Sequence, residues 1–137
     1  MLRRNKVLGM LENKRVPLGI QCFTGNPALI EVIGSTGFDF IMLDAEHGGN
    51  NPRDIEDLVR TSLLAGLAAY VRVPDPHVAA DLRRALEAGA EGIFLPEIHS
   101  VADIDAAAEA ERTKAAAEER AAAAERALEE AKRKAEV

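Results

Sequence analysis

The side chains that could do chemistry cluster in residues 44–49, which read Asp-Ala-Glu-His-Gly-Gly. A carboxylate bonded to one imidazole nitrogen fixes the tautomer of the ring and raises the basicity of the other nitrogen, as a general base requires. Asp44 or Glu46 could serve His47 in this way, and the two glycines that follow keep the loop tight and open to a ligand. The same spacing fits a polar loop with a solvated histidine, so the residues alone leave both interpretations open.

Arg72 is a second candidate, because it lies inside the apolar stretch Tyr-Val-Arg-Val-Pro at residues 70–74. An arginine in a buried strand is costly unless an anion pairs with it. The residue therefore predicts either a carboxylate or enolate ligand, or an internal ion pair with Asp44 or Glu97. Glu97 is itself a candidate ligand, whereas His77 and His99 are predicted to be surface residues.

These residues need secondary-structure elements to position them, and apolar runs alternate with amphipathic stretches along most of the chain. Apolar runs predict strands over residues 16–23, 38–44, 69–73 and 92–98. Helical periodicity predicts helices over residues 6–14, 27–35, 52–65 and 76–88. Strands separated by helices pair in parallel through right-handed crossovers. An open doubly wound sheet and a (β/α)8 barrel both fit, and both place functional residues at the carboxyl ends of strands.

Composition excludes several classes of protein. The chain has 137 residues, enough for one domain, with 23 acidic and 17 basic residues and a net charge of −6. This charge argues against a nucleic-acid surface, which needs a basic patch. No apolar run approaches the roughly 20 residues of a membrane span, and no signal peptide is evident, so no membrane partner is expected. The single cysteine, Cys22, fits a reducing compartment, and a cytoplasmic protein is expected.

The composition changes near residue 108. All ten glycines, all six prolines and all the aromatic residues lie at or before Pro96, whereas residues 109–137 are almost entirely Ala, Glu, Lys and Arg. Such residues predict one long helix over residues 101–136, with an alanine seam that suits a spacer or a weak coiled coil. We predict an α/β domain at residues 1–108 and a helical extension at 109–137, whose composition is similar to that of designed helical linkers.

Three stretches carry a resemblance to a known family. They are Gly-Phe-Asp-Phe-Ile-Met-Leu-Asp-Ala-Glu-His-Gly at residues 37–48, Val-Arg-Val-Pro at 71–74 and Ala-Leu-Glu-Ala-Gly-Ala-Glu-Gly-Ile-Phe-Leu-Pro at 85–96. Over residues 5–108 the chain resembles the HpcH/HpaI (4-hydroxy-2-oxoheptanedioate) aldolase family. The resemblance implies half of a (β/α)8 TIM barrel, four parallel βα units, here followed by a long C-terminal helix. It also implies cleavage of 4-hydroxy-2-oxo acids to pyruvate and an aldehyde with Mg²⁺ or Mn²⁺.

The resemblance also implies roles for individual residues. His47 with Asp44 would be the base dyad that handles the substrate hydroxyl proton. Arg72 would stabilise the pyruvate enolate, and Gly48 and Pro96 would contact the substrate beside it. The family's metal-binding carboxylates belong to later strands, so neither a metal ligand nor a cofactor is predicted in this chain. Glu87 stands where the family usually has aspartate, which is a departure from its pattern.

Three functions follow as hypotheses. The first is an engineered or truncated aldolase-derived half-barrel scaffold without efficient catalysis. The second is a metal-dependent class II pyruvate aldolase that homodimerisation reconstitutes, with Glu97 recruited as a metal ligand. The third is a helix-mediated oligomerisation module in which the α/β part is only a carrier.

The predicted half barrel also implies a partner. The strands near residues 18 and 94 would be unpaired sheet edges, and two copies would supply eight strands, which favours a C2 homodimer. The alternative is a monomer whose long helix folds over the exposed core. A pyruvate-like oxo acid is the small molecule that we expect the protein to bind.

Overall fold

The computed structural model describes residues 5–75 and 78–135, and the elements follow the predicted order. His77 lies outside the described residues. The described residues form α1 (Lys6–Glu12), β1 (Gly19–Cys22), α2 (Pro27–Gly34), β2 (Phe40–Asp44), α3 (Pro52–Leu64), β3 (Ala68–Arg72), α4 (Ala79–Glu87), β4 (Gly92–Phe94) and α5 (Val101–Ala135).

The four strands form one parallel sheet in the order β1-β2-β3-β4. This order confirms the four parallel βα units. A doubly wound sheet reverses its strand order at a switch point, whereas strands that stay in sequence order are those of a barrel. The fold is therefore half of a (β/α)8 barrel followed by a long helix.

The two outer strands are shorter than the sequence predicted. β1 covers Gly19–Cys22 instead of residues 16–23, and β4 covers only Gly92–Phe94 instead of residues 92–98. Within the described part of the chain, each outer strand has only one neighbouring strand. Its hydrogen bonds therefore end where that neighbour ends. Phe94 pairs with Arg72, the last residue of β3, and β4 ends there. The apolar pattern runs further because Leu95 still packs against the core.

Side chains alternate between two faces of the sheet. On the helix-facing side, Ile41, Leu43 and Val71 are at most 1% exposed and belong to the main hydrophobic core. The other side, here called the inner face, carries the rings of Phe40, Tyr70 and Phe94 and, further along the same strands, Asp44 and Arg72. Neighbouring rings meet edge to face, with centroids 5.5 and 5.8 Å apart. This alternation directs the predicted functional residues to the inner face.

Local signals set the helix boundaries. Asn26 caps α2, and Asn51 forms a capping box with Asp54 at the start of α3. A proline follows each cap in the first turn, where its missing N–H is not needed. After α3 and α4 the chain turns through Gly66 and Gly89, whose φ angles are +81° and +106°. Glycine adopts these left-handed φ angles without steric cost, which lets each helix end there.

The long C-terminal helix predicted over residues 101–136 is confirmed. α5 runs without interruption over Val101–Ala135, 35 residues, or about 50 Å at 1.5 Å per residue. Asp103 is buried in its first turn and accepts hydrogen bonds from the backbone N–H groups of His99 and Ser100, at 3.0 and 2.9 Å. α5 packs against α4. The helix passes through residue 108, so the division at that residue stays a prediction from composition.

No helix in the described part of the chain combines the length and the apolar character needed to cross a membrane.

Candidate functional site

The centre of the site is Asp44, the last residue of β2, whose side chain is completely buried. Its Oδ1 accepts hydrogen bonds from the backbone N–H groups of Glu46 and His47, at 2.9 and 3.0 Å. Gln21 on β1 donates its side-chain amide to Oδ2 at 3.0 Å. One carboxylate therefore ties the loop after β2 to the neighbouring strand.

Arg72 completes the shell around Asp44. The two residues are directly opposite in the β2–β3 register. The guanidinium donates Nε to Oδ1 at 3.2 Å and Nη2 to Oδ2 in a short, two-point ion pair. Of the two internal partners predicted for Arg72, Asp44 is thus confirmed. The predicted alternative, an ion pair between Arg72 and Glu97, is wrong. Glu97 is exposed, and no ion pair joins it to Arg72 within residues 5–75 and 78–135.

Burial and pairing act in opposite directions on Asp44. Burial by itself raises the pKa of this carboxyl group, but the hydrogen bonds from Arg72, from the two backbone N–H groups and from Gln21 outweigh it. The pKa of Asp44 therefore lies well below its usual range. The same hydrogen bond raises the pKa of Arg72. Both groups are charged at neutral pH, and the pair presents a fixed guanidinium at the carboxyl ends of β2 and β3.

The imidazole of His47 meets a different carboxylate from the one expected. Its Nε2 is 3.7 Å from Oε1 of Glu46, while Asp44 contacts only the backbone of His47. The Asp44–His47 side-chain dyad that the resemblance implies is therefore not formed in this structure, although both residues belong to one cluster. The imidazole stays accessible, with 66% of its side chain exposed.

Glu46, the alternative carboxylate that the sequence offered to His47 and to which the resemblance gave no role, joins the two parts of the cluster. Its Oε2 is 3.1 Å from Nε of Arg72, and its Oε1 faces His47. The side chain is only 15% exposed, and Oε2 is buried without a hydrogen bond of good geometry. The sequence signal was its position between an aspartate and a histidine, but that spacing did not tell which carboxylate would face the ring.

Gly48 is required by the packing of the loop. A Cβ atom at this position would meet the carbonyl oxygens of Asp44 and Phe23, the second at 2.8 Å, and the side-chain amide of Asn50 at 2.8 Å. That amide donates to the Asp44 carbonyl at 3.0 Å. The glycine thus lets the loop fold closely over the end of β2. Its predicted contact with substrate, like that of the half-buried Pro96, stays a prediction.

Comparison with known proteins identifies the family to which this arrangement belongs. Residues 21–132, more than half of the chain, match the family model for HpcH/HpaI aldolase/citrate lyase. The chain belongs to the HpcH/HpaI aldolase/citrate lyase family. The match passes beyond residue 108, where the sequence resemblance was expected to stop.

Individual relatives of the HpcH/HpaI family agree with this assignment. A 4-hydroxy-4-methyl-2-oxoglutarate aldolase from Hapsidospora irregularis is 35% identical over 92 residues, 67% of this chain and 34% of that protein. A 5-keto-4-deoxy-D-glucarate aldolase from Klebsiella pneumoniae is 32% identical over 101 residues, 70% of this chain and 37% of that protein. The chain therefore spans little more than a third of these relatives.

A solved structure is matched over a somewhat larger share of its length. An HpcH/HpaI aldolase/citrate lyase family protein from Burkholderia cenocepacia superposes with a TM-score of 0.70 at 29% identity. The match covers 77% of this chain and 42% of that one. The described elements thus correspond to about half of an HpcH/HpaI-type barrel.

The residues of this HpcH/HpaI site do not fit a divalent metal by themselves. Both oxygens of Asp44 already accept hydrogen bonds, and Oε2 of Glu46 faces the positive Arg72, which would repel a cation. Among the residues whose placement is described, no group of three or more His, Cys, Asp and Glu side chains could hold a metal ion. Glu97, the ligand expected after dimerisation, is exposed in the loop between β4 and α5.

Proposed function

We propose that this chain supplies the anion-binding and proton-transferring half of an aldolase site that acts on a 4-hydroxy-2-oxo acid. The observation that carries the proposal is the buried Asp44–Arg72 pair at the carboxyl ends of two parallel strands, with Glu46 and His47 beside it. Membership of an aldolase/lyase family supports the reaction class. The aldolase from Hapsidospora irregularis supports the substrate class.

Arg72 is suited to bind the oxo acid. Its Nε and Nη2 atoms hold carboxylates, whereas Nη1 makes no hydrogen bond to any described residue. The N–H groups of Nη1 are therefore available to a substrate carboxylate or to a developing enolate oxygen. Because Asp44 and Glu46 fix the guanidinium, this positive charge is already in place before the reaction, which is the condition for electrostatic stabilisation.

His47 is suited to move the proton. In the proposed cleavage its imidazole accepts the proton of the C4 hydroxyl while the C3–C4 bond breaks. The C4 carbon leaves as the carbonyl carbon of an aldehyde, or of a ketone where C4 carries no hydrogen, and the electron pair of the broken bond forms the enolate of pyruvate. The imidazolium then returns a proton to C3 and releases pyruvate. Glu46, 3.7 Å from the ring, stabilises the protonated form.

We further propose that this half works inefficiently alone, as a half-barrel scaffold. Arg72 engages both loop carboxylates, so no step is assigned to a metal held by these residues. Loss of even one stabiliser of an oxyanion costs roughly 10²- to 10³-fold in rate. The uniform composition of residues 109–137 supports the hypothesis that the scaffold is engineered.

A pyruvate-release assay on 4-hydroxy-4-methyl-2-oxoglutarate, with and without Mn²⁺, tests these proposals. The Hapsidospora irregularis relative, a 4-hydroxy-4-methyl-2-oxoglutarate aldolase, serves as the reference. We expect turnover at least about 10²-fold below the reference. His47→Ala abolishes this residual turnover, and His99→Ala, a change at another exposed histidine, leaves it unchanged. Metal-stimulated turnover at the level of the reference would overturn the proposal of inefficiency.

Binding of pyruvate tests the site without relying on turnover. We expect pyruvate to shift the NMR signal of the Arg72 Nε–H group and to leave the corresponding signal of Arg112, on the exposed part of α5, unchanged. Equal behaviour of the two arginine signals would overturn the assignment of Arg72 as the anion-binding residue.

A further inference from the structure

A cleft of about 370 Å³ lies beside the open edge of β4. β4 pairs with β3 on one side, and within the described residues no strand covers its other side. The cleft is mainly apolar, and the side chains that matter here are Leu8 of α1, Ile93 and Leu95 of the β4 segment, and Ile104 of α5. Leu8 and Ile104 are 56% and 50% exposed. This edge therefore has both free backbone groups and an apolar recess.

The opposite edge of the sheet carries apolar side chains that protrude. Val16 and Leu18, directly before β1, are 81% and 61% exposed, and Phe23, directly after it, is 51% exposed. β1 pairs only with β2 among the described strands. The chain thus has a protruding apolar edge at β1 and a recessed apolar edge at β4.

We propose that a second copy of this chain occupies the β4 cleft, with its β1 segment, residues 16–23, added as a parallel strand. A two-fold axis along the strands places β4 of each copy beside β1 of the other, so the two contacts form together and the sheet closes with eight strands. Any other partner would have to bring both a matching protruding edge and a matching recess.

Charge at the end of the cleft supports this choice. In a parallel arrangement the residues that precede β1 lie at the same end as those that precede β4. Lys14 and Arg15 precede β1 and are exposed, while Glu91, whose Oε2 accepts a hydrogen bond from the backbone N–H of Lys6 at 2.9 Å, precedes β4 and lines the cleft with its negative charge. Opposite charges therefore meet at both β4–β1 contacts of the dimer, which favours a parallel over an antiparallel arrangement of the strands.

The molar mass in solution tests this proposal. The dimer proposal does not depend on the proposed aldolase activity. We expect a dimer for the unmodified chain. Leu18→Lys should weaken dimerisation by about 30-fold or more, because it brings a charge into an apolar contact, and Ile104→Lys should do so from the other side. Both side chains are exposed in the single chain, so the fold should persist, as far-UV circular dichroism would show.

Leu64→Lys is the matched control, because Leu64 is 89% exposed on α3, away from both edges. It should leave the dimer intact. A monomer of the unmodified chain at about 100 μM, or a dimer that survives both Leu18→Lys and Ile104→Lys, would overturn the proposal. A dimer lost instead on Ala121→Arg in α5 would assign the contact to the long helix and would equally overturn it.

Discussion

Two arginine–carboxylate pairs in this chain share their chemistry and differ in their surroundings. Arg72 and Asp44 pair across neighbouring strands, with the aspartate fully buried. Arg112 and Glu109 pair one turn apart on α5 at 2.8 Å, with side chains 66% and 69% exposed. An exposed pair is screened by water and contributes little, whereas loss of one partner of a buried pair leaves an uncompensated charge. Burial therefore decides how strongly each pair matters to the fold.

The two pairs also differ in what must form first. Residues 109 and 112 meet as soon as α5 is helical. Residues 44 and 72 meet only after β2 and β3 have paired, and Asp44 then also holds the loop that carries His47. The buried pair therefore links strand pairing to the position of the His47 loop, while the exposed pair depends only on local helix formation.

Removal of the buried carboxylate should have the largest effect. Asp44→Ala deprives Arg72, Gln21 and two backbone N–H groups of their acceptor. We expect a loss of about 3–5 kcal/mol in the free energy of unfolding, measured by urea denaturation. The matched change at the exposed pair, Glu109→Ala, should cost less than about 1 kcal/mol. Similar losses for the two variants would contradict the comparison.

Two adjacent glycines extend the contrast to backbone packing. A Cβ at Gly48 would meet two carbonyl oxygens and the Asn50 amide, whereas a Cβ at Gly49 would meet nothing within 4 Å. We expect Gly48→Ala to lower the free energy of unfolding by about 1–3 kcal/mol. Gly49→Ala should change it by no more than about 0.5 kcal/mol. If Gly49→Ala proved the more damaging change, the loop would not have the close packing described.

Acidification should reduce the stability that the buried pair contributes, and this effect should be smaller than those of the substitutions. The folded pKa of Asp44 lies below the unfolded value of about 3.9, so on acidification the unfolded chain binds a proton first. The stability that ionised Asp44 contributes is fully present above about pH 4 and declines below it, by at most about 1.4 kcal/mol per pH unit.

Urea unfolding of the unmodified chain and of Asp44→Asn at several pH values measures the stability that ionised Asp44 contributes. The difference in stability between the two should shrink as the pH falls below about 4. A difference for Asp44→Asn that stays constant over this range would show that the buried carboxylate has no lowered pKa.

Particular residues show how far the sequence could predict this site. The Asp-x-Glu-His-Gly loop and the Val-Arg-Val-Pro strand located the cluster, because polar residues at the ends of apolar runs fall on one rim of a parallel sheet. The sequence did not decide between Asp44 and Glu97 as the partner of Arg72. It also did not show that Glu46 would face His47, since loop direction depends on the hydrogen bonds that Asp44 makes.

The ends of the outer strands illustrate the same limit. The apolar runs at residues 16–23 and 92–98 predicted the strands correctly but made both too long. A run of apolar residues records burial, whereas a strand ends where its neighbour offers no further hydrogen bonds. The end of a strand therefore depends on both paired segments and cannot be predicted from the sequence of one of them.

By itself the sequence determined the order of elements, the glycines after α3 and α4 and the long helix, because each depends on residues within a few positions. Only the tertiary structure decided that Asp44 faces Arg72 and that Glu46 joins Arg72 to His47. These features depend on register and burial, which arise when segments distant in the chain come together.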